Sequence, residues 1–137
     1  MVDATGDVPL VLRPGAVTLD ALEARFPASR AVAGGAEQTR RSPGTRHRHY
    51  APRAQVHLVA PGDASPSGDA AWIGLSPPPS GYARVTVCAD VEAYARQLFD
   101  AFRRADAAHL ARIDAEVVPE LGLGVAVMDR LRRAAAG

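Results

Sequence analysis

The sequence predicts an α/β fold: a small Rossmann-like domain with a mainly parallel sheet, preceded by an irregular linker and, before that, a strand-helix pair. Three observations carry this. Over residues 54–137, short β-branched runs alternate with two long amphipathic helical patterns, the arrangement that builds parallel sheets. Residues 27–53 show no apolar periodicity and are rich in Gly, Arg and Ser. At 137 residues the chain is long enough for one core of ordinary size and too short for two.

Residues 8–13 read as a strand closed by the Arg13-Pro14-Gly15 turn. Thr18 is placed to cap a helix running to residue 26, with Leu19, Leu22 and Phe26 at helical spacing. After the linker, residues 55–60 alternate weakly and form the first strand of the C-terminal domain. Residues 61–68 are a loop and 71–75 a short strand. Ser76-Pro-Pro-Pro-Ser-Gly81 is excluded from regular structure, because three prolines remove three backbone donors. Residues 82–88 are the third strand. Asp90 caps a long helix whose apolar face is Val91, Tyr94, Ala95, Leu98 and Phe102. Leu98, Phe99 and Phe102 therefore read as core, not as a cofactor box. Residues 110–118 are a strand with Ala111, Ile113, Ala115 and Val117 on one face, and 122–136 a final helix with Gly124, Val127, Met128, Leu131 and Ala135 inward. No internal repeat occurs.

Composition narrows the function classes. A formal net charge of +1 argues against a general nucleic-acid or membrane surface. The positive charge is concentrated: residues 38–62 hold five arginines (40, 41, 46, 48 and 53) and no acid, so the remainder sums to −4. All sixteen Lys-plus-Arg residues are arginine, which excludes a P-loop lysine and a Schiff-base lysine. Cys88 is the single cysteine; no intrachain disulfide is possible, and a reducing compartment is expected. Its place in an apparent strand predicts a buried, inert thiol. No charged n-region precedes an apolar stretch and no run reaches membrane-spanning length, so the chain is expected to be soluble and cytoplasmic.

The densest chemistry lies in Ser42-Pro-Gly-Thr-Arg-His-Arg-His-Tyr-Ala-Pro52. Gly44 opens backbone angles closed to other residues, while Pro43 and Pro52 fix φ near both ends. A stiffened loop results, presenting Arg46, His47, Arg48, His49 and Tyr50 to a polyanion, since guanidinium groups fork onto phosphate oxygens. A solvated basic linker is the plain alternative. The aromatic interleaving of a single-strand nucleic-acid platform is missing beyond Tyr50, so a nucleotide phosphate is the more economical ligand.

The order of these residues resembles the SPG-x-x-x-x-HYAP linker of bacterial and archaeal threonylcarbamoyl-AMP synthases, with only His47 atypical. Residues 9–18 resemble the point where the catalytic domain of those enzymes ends, and residues 120–131 resemble their final helix. The resemblance implies that residues 1–26 are a remnant of the end of the catalytic domain, 27–53 the linker and 54–137 the accessory domain. It also implies that nearly all of the catalytic domain is absent and that the helix between the first two strands of the accessory domain is lost. The family forms threonylcarbamoyl-AMP from threonine, bicarbonate and ATP, with magnesium, for threonylcarbamoyladenosine on tRNA. By resemblance Arg13 and Tyr50 contact ATP, Arg46 and Arg48 assist electrostatically, and Ser42, Pro43, Gly44, His49 and Pro52 shape or complete the loop. The expected partner is the catalytic domain, in cis or in trans, with no direct nucleic-acid contact. No turnover and no bound ATP are expected of this chain alone, whose role is then to gate or regulate the cleft.

Other arrangements are weaker. Gly122-Leu-Gly124 before a helix imitates a dinucleotide fingerprint, but Val127 stands where a third glycine belongs; tight entry into the helix is the simpler reading, with weak anion binding at the helix start as the alternative. His47, His49 and His57 lack a neighbouring Cys or carboxylate and are flanked by arginines that repel a divalent cation. His109 reads as a surface residue at a helix end. A stand-alone α/β small-molecule-binding or interaction module is the remaining alternative.

Overall fold

The computed structural model describes residues 1–31 and 51–137. Its elements in chain order are β1 (Val2–Asp3), β2 (Leu10–Val11), α1 (Leu19–Arg25), β3 (Arg30–Ala31), β4 (Gln55–Val59), β5 (Ala70–Gly74), β6 (Arg84–Val87), α2 (Val91–Ala107), β7 (Arg112–Glu116) and α3 (Leu123–Ala135). Strands β4 to β7 form one sheet in the order β4-β7-β5-β6, and every pairing in it is parallel. This is the α/β fold with a parallel sheet that the sequence predicts. Strands β1 to β3 form a separate mixed sheet, with β2 antiparallel to β1 and parallel to β3.

Local chemistry explains the helices. The Asp90 carboxylate accepts the Ala93 amide at 2.7 Å and so satisfies a donor that the first turn of α2 leaves open. The helix stops where His109 adopts a left-handed φ of 53°. The His109 amide then reaches the Asp106 carbonyl and the Leu110 amide reaches that of Ala105, the paired bonds that close a helix C-terminus. Asparagine or glycine is the commoner residue there; His109 occupies the place and is exposed, as expected from sequence. At the start of α3 a Cβ on Gly124 would stand 2.0 Å from the Pro119 carbonyl oxygen. Tight entry into the helix accounts for that glycine.

Both helices cover one face of the large sheet. Val56, Ala71, Ile73, Ile113 and Ala115 point into a core completed by Tyr94, Leu98 and Phe102 of α2 and Val127, Met128 and Leu131 of α3. Cys88 is buried at the end of β6, and burial, followed by the nearby Asp90, raises its thiol pKa. Among the described residues the opposite face carries no helix. A loop connects β4 to β5, so the crossover helix expected to be lost is indeed missing between these strands. The described residues of the domain form two layers.

Three expectations need adjustment. Residues 27–53 were expected to lack regular structure, yet Arg30 and Ala31 pair with β2 as β3. The inward residue near the end of α3 is Ala134, while Ala135 is exposed, because the buried stripe drifts by one position over the helix. The last strand is shorter than residues 110–118, and Asp114 and Glu116 are as buried as Ile113 and Ala115. Among the described residues no helix is long and apolar enough to cross a membrane.

Candidate functional site

Arg13 stands two residues after β2 and is partly buried. Its backbone is fixed from both sides: the amide donates to the Met1 carbonyl at 3.3 Å and the carbonyl accepts the Met1 amino group at 2.7 Å. The guanidinium has no ion pair to a carboxylate among the described residues. A partly desolvated, unpaired cation suits an anionic ligand.

Ser42, Pro43, Gly44, Arg46, Arg48, His49 and Tyr50 lie outside the described residues. Pro52, at the other end of the linker signature, is described and partly buried. The two residues after it are held tightly. One carboxylate oxygen of Asp106, in the last turn of α2, accepts the Arg53 amide at 2.9 Å and the Ala54 amide at 3.1 Å. Ala54 is buried and packs into the core. The chain therefore leaves the linker at a pinned point on the domain. Sequence reasoning missed Asp106, since a helix-end carboxylate 52 residues away in sequence gives no local signal.

On the helix-free face, polar side chains are buried under loops. Asp114 receives the Tyr82 hydroxyl at 2.6 Å, and Arg112 lies beside it with Nε 2.9 Å from Oδ1 but angled off the hydrogen-bonding direction. Burial first, then the bond to Asp114, pushes the Tyr82 phenol pKa up to about 12. Glu116 accepts the Leu75 and Ser76 amides at 2.6 and 2.8 Å, and Trp72 donates to the Ser76 carbonyl at 3.0 Å. The Tyr94 hydroxyl, inside the core, bonds the Glu116 carbonyl at 2.9 Å, and burial drives its pKa far up. Every one of these acids is engaged in holding the strand ends and the proline-rich loop. Their work is structural.

A cavity of about 210 Å³ opens between β5, β6 and α2, with Ala71, Ile73 and Ala101 as its floor and Arg84, Thr86 and Arg104 at its rim. Among the described residues no three His, Cys, Asp or Glu side chains come together to hold a metal ion.

Comparison with known proteins gives a consistent result. Residues 17–136 match the family described as threonylcarbamoyl-AMP synthase, C-terminal domain. A threonylcarbamoyl-AMP synthase of Pyrococcus abyssi is 37% identical over 98% of this chain, and one of Bacillus subtilis is 31% identical over 96%. The chain spans only 44% and 43% of these two relatives. The crystal structure of Pyrococcus abyssi Sua5 complexed with L-threonine superimposes with a TM-score of 0.74 at 31% identity, covering 98% of this chain and 44% of that one. A second structure of the same protein, with an adjacent His and Tyr both replaced by alanine, superimposes with the same TM-score at 29% identity.

Proposed function

The chain belongs to the threonylcarbamoyl-AMP synthase family, whose C-terminal domain it carries, and on that premise we propose that it closes and regulates an adenylate-forming cleft supplied by a catalytic domain in cis or in trans. In this reading the reaction joins threonine, bicarbonate and ATP into threonylcarbamoyl-AMP, releasing pyrophosphate and water. Attack at the α-phosphate builds negative charge, and preorganised cations stabilise it. In this proposal Arg13 meets the nucleotide phosphates, and Tyr50, with Arg46 and Arg48, closes over them. A closed loop also excludes the water that would hydrolyse a mixed anhydride.

The observation that carries the proposal is the family match over residues 17–136 together with the Ser42–Pro52 signature inside it. Two features support it. The Asp106 anchor gives the linker a fixed pivot on the domain. The relative with paired His and Tyr replacements directs attention to His49-Tyr50, the one adjacent His–Tyr pair in this chain.

The test is a mixing experiment. This chain is titrated into a stand-alone catalytic domain of the family, and pyrophosphate release from ATP and threonine is followed. The expected outcome is no release by the chain alone and a changed rate on mixing that Tyr50→Ala abolishes. An unchanged rate at every ratio removes the gating role. The stand-alone small-molecule module is favoured by one observation, the cavity rimmed by Arg84, Thr86 and Arg104, and an unchanged rate would leave that reading in place.

A further inference from the structure

The two long helices lie mainly over β4, β7 and β5, and β6 forms the outer edge of the sheet beside them. In the β5–β6 register Ala71 stands opposite Arg84 and Ile73 opposite Thr86. Residues paired in this way project from the same face of a sheet. Ala71 and Ile73 belong to the core, so Arg84 and Thr86 also project on the helix side. From α2 come Ala101 and Arg104, three positions apart and therefore on one face of the helix. Alanine at both 71 and 101 leaves space between strand and helix, and the cavity of about 210 Å³ opens there.

The floor of this cavity is apolar and its rim is cationic. Among the described residues Arg84 forms no ion pair with a carboxylate, and half-buried Thr86 makes no side-chain hydrogen bond. Arg104 pairs with Asp100, but that carboxylate also takes Arg103 at 3.3 Å. Two guanidinium groups thus share one acid on the helix side, and Arg84 stands alone on the strand side. A guanidinium takes a carboxylate through two parallel hydrogen bonds, and this geometry is specific as well as strong. The unengaged Thr86 hydroxyl adds one more donor within the same cavity.

We propose that the cavity between β6 and α2 binds a small aliphatic carboxylate, gripped by Arg84 and Thr86, with Arg104 adding positive charge at the rim. The short tail lies on Ala71, Ile73 and Ala101. The volume equals that of about seven waters, at roughly 30 Å³ each. That is room for an acid of a few carbons and too little for a nucleoside, since pockets for drug-sized ligands begin at about 300 Å³. A free amino acid is disfavoured, because its ammonium group would meet the arginine rim. The site belongs to the C-terminal domain itself. It goes beyond the gating role and does not depend on it.

Butyrate is the probe, titrated into the 137-residue chain while backbone amide resonances are followed by NMR. Butyrate should move the Thr86 and Ala101 amides with a dissociation constant of about 1 mM, ordinary for so small a ligand. Butylammonium, of the same length and opposite charge, should leave both amides in place. Inorganic phosphate, which lacks the tail, should bind about tenfold more weakly than butyrate. Arg84→Gln should weaken butyrate about tenfold through one lost charge-assisted group. Arg84→Lys keeps the charge without the fork and should give an intermediate loss, whatever the glutamine variant does to the edge strand. Arg96→Gln, on the same helix but paired with Glu92, should change binding less than about twofold. The inference is overturned if butyrate leaves these amides unmoved at about ten times that concentration. Equal binding by butylammonium or phosphate, or undiminished binding by both Arg84 variants, overturns it as well. None of these results bears on pyrophosphate release in the mixing experiment, so the gating role is judged separately.

Discussion

Residues 1–31 and residues 54–137 are built from the same kinds of element on different terms. The first region has three strands of two residues each and a seven-residue helix with no buried side chain. Phe26, at the end of that helix, is 52% exposed. The second region has a four-stranded parallel sheet and helices of 17 and 13 residues sharing one core. Thr18 caps α1 as correctly as Asp90 caps α2, each with a side-chain oxygen on the amide three residues on. Correct capping does not make α1 a buried element. The difference lies in what each apolar face finds to pack against: α2 finds a four-stranded sheet and a second helix, whereas α1 meets the two-residue strand β3. Marginal strands and an exposed phenylalanine mark the first region as one whose stability depends on a neighbour.

The hardest way to break this comparison is to cut into the second core. Leu98 is fully buried against the sheet and α3. Leu98→Ala should lower the unfolding free energy by about 3 kcal/mol, the transfer and cavity cost of a leucine in a closed core, read from the urea midpoint. Val11, buried in the small sheet but outside that core, is the control. Val11→Ala should leave the same midpoint unchanged. A shift of comparable size from both substitutions would mean that the two regions unfold as one unit, and the comparison would fail.

Much of the second region was legible in the sequence because its signals are local. The Asp90 cap, the Val91-to-Phe102 stripe and the strand positions all appear within one or two residues of where they were expected. What escaped was long-range. Asp114 and Glu116 alternate with Ile113 and Ala115, a pattern that ordinarily reads as a solvated face. Loops fold over that face, and the carboxylates are buried by accepting the Tyr82 hydroxyl and the Leu75 and Ser76 amides. β3 escaped because two residues carry no period. The candidate site was half legible: Arg13 stands out beside its Pro-Gly turn, whereas Asp106 gives no local signal of the amides it holds.

Asp106 joins the two halves of the comparison, since it ties the end of the linker to α2. Asp106→Ala should cost about 1–2 kcal/mol through two lost amide bonds to a charged acceptor. The sharper readout is hydrogen exchange. The Arg53 and Ala54 amides should exchange about tenfold faster, while amides within β5 and β7 keep their protection. Equal acceleration throughout the sheet would show that Asp106 supports the whole domain and not the pivot alone.

The smallest expected effect concerns the loops that cover the helix-free face. Tyr82 donates to Asp114 and packs at 5.7 Å from Trp72, so its proton belongs to the folded arrangement. Its pKa is raised to about 12, above the ordinary phenol value of 10.0, by burial and then by the carboxylate that accepts its bond. A group whose folded pKa lies above its unfolded value contributes stability that is complete below the unfolded value and is lost as pH rises towards the folded one. The window is therefore pH 10 to about 12. Over that range the phenolate absorbance of Tyr82 should lag behind that of an exposed tyrosine, and the chain should lose stability with a slope that Tyr82→Phe removes. Near neutral pH the same substitution should act only through the lost hydrogen bond, about 1 kcal/mol or less. A slope surviving in the phenylalanine variant would assign it to another phenol, of which buried Tyr94 is the nearest in chemistry. The covering loops would then owe nothing to the Tyr82 proton.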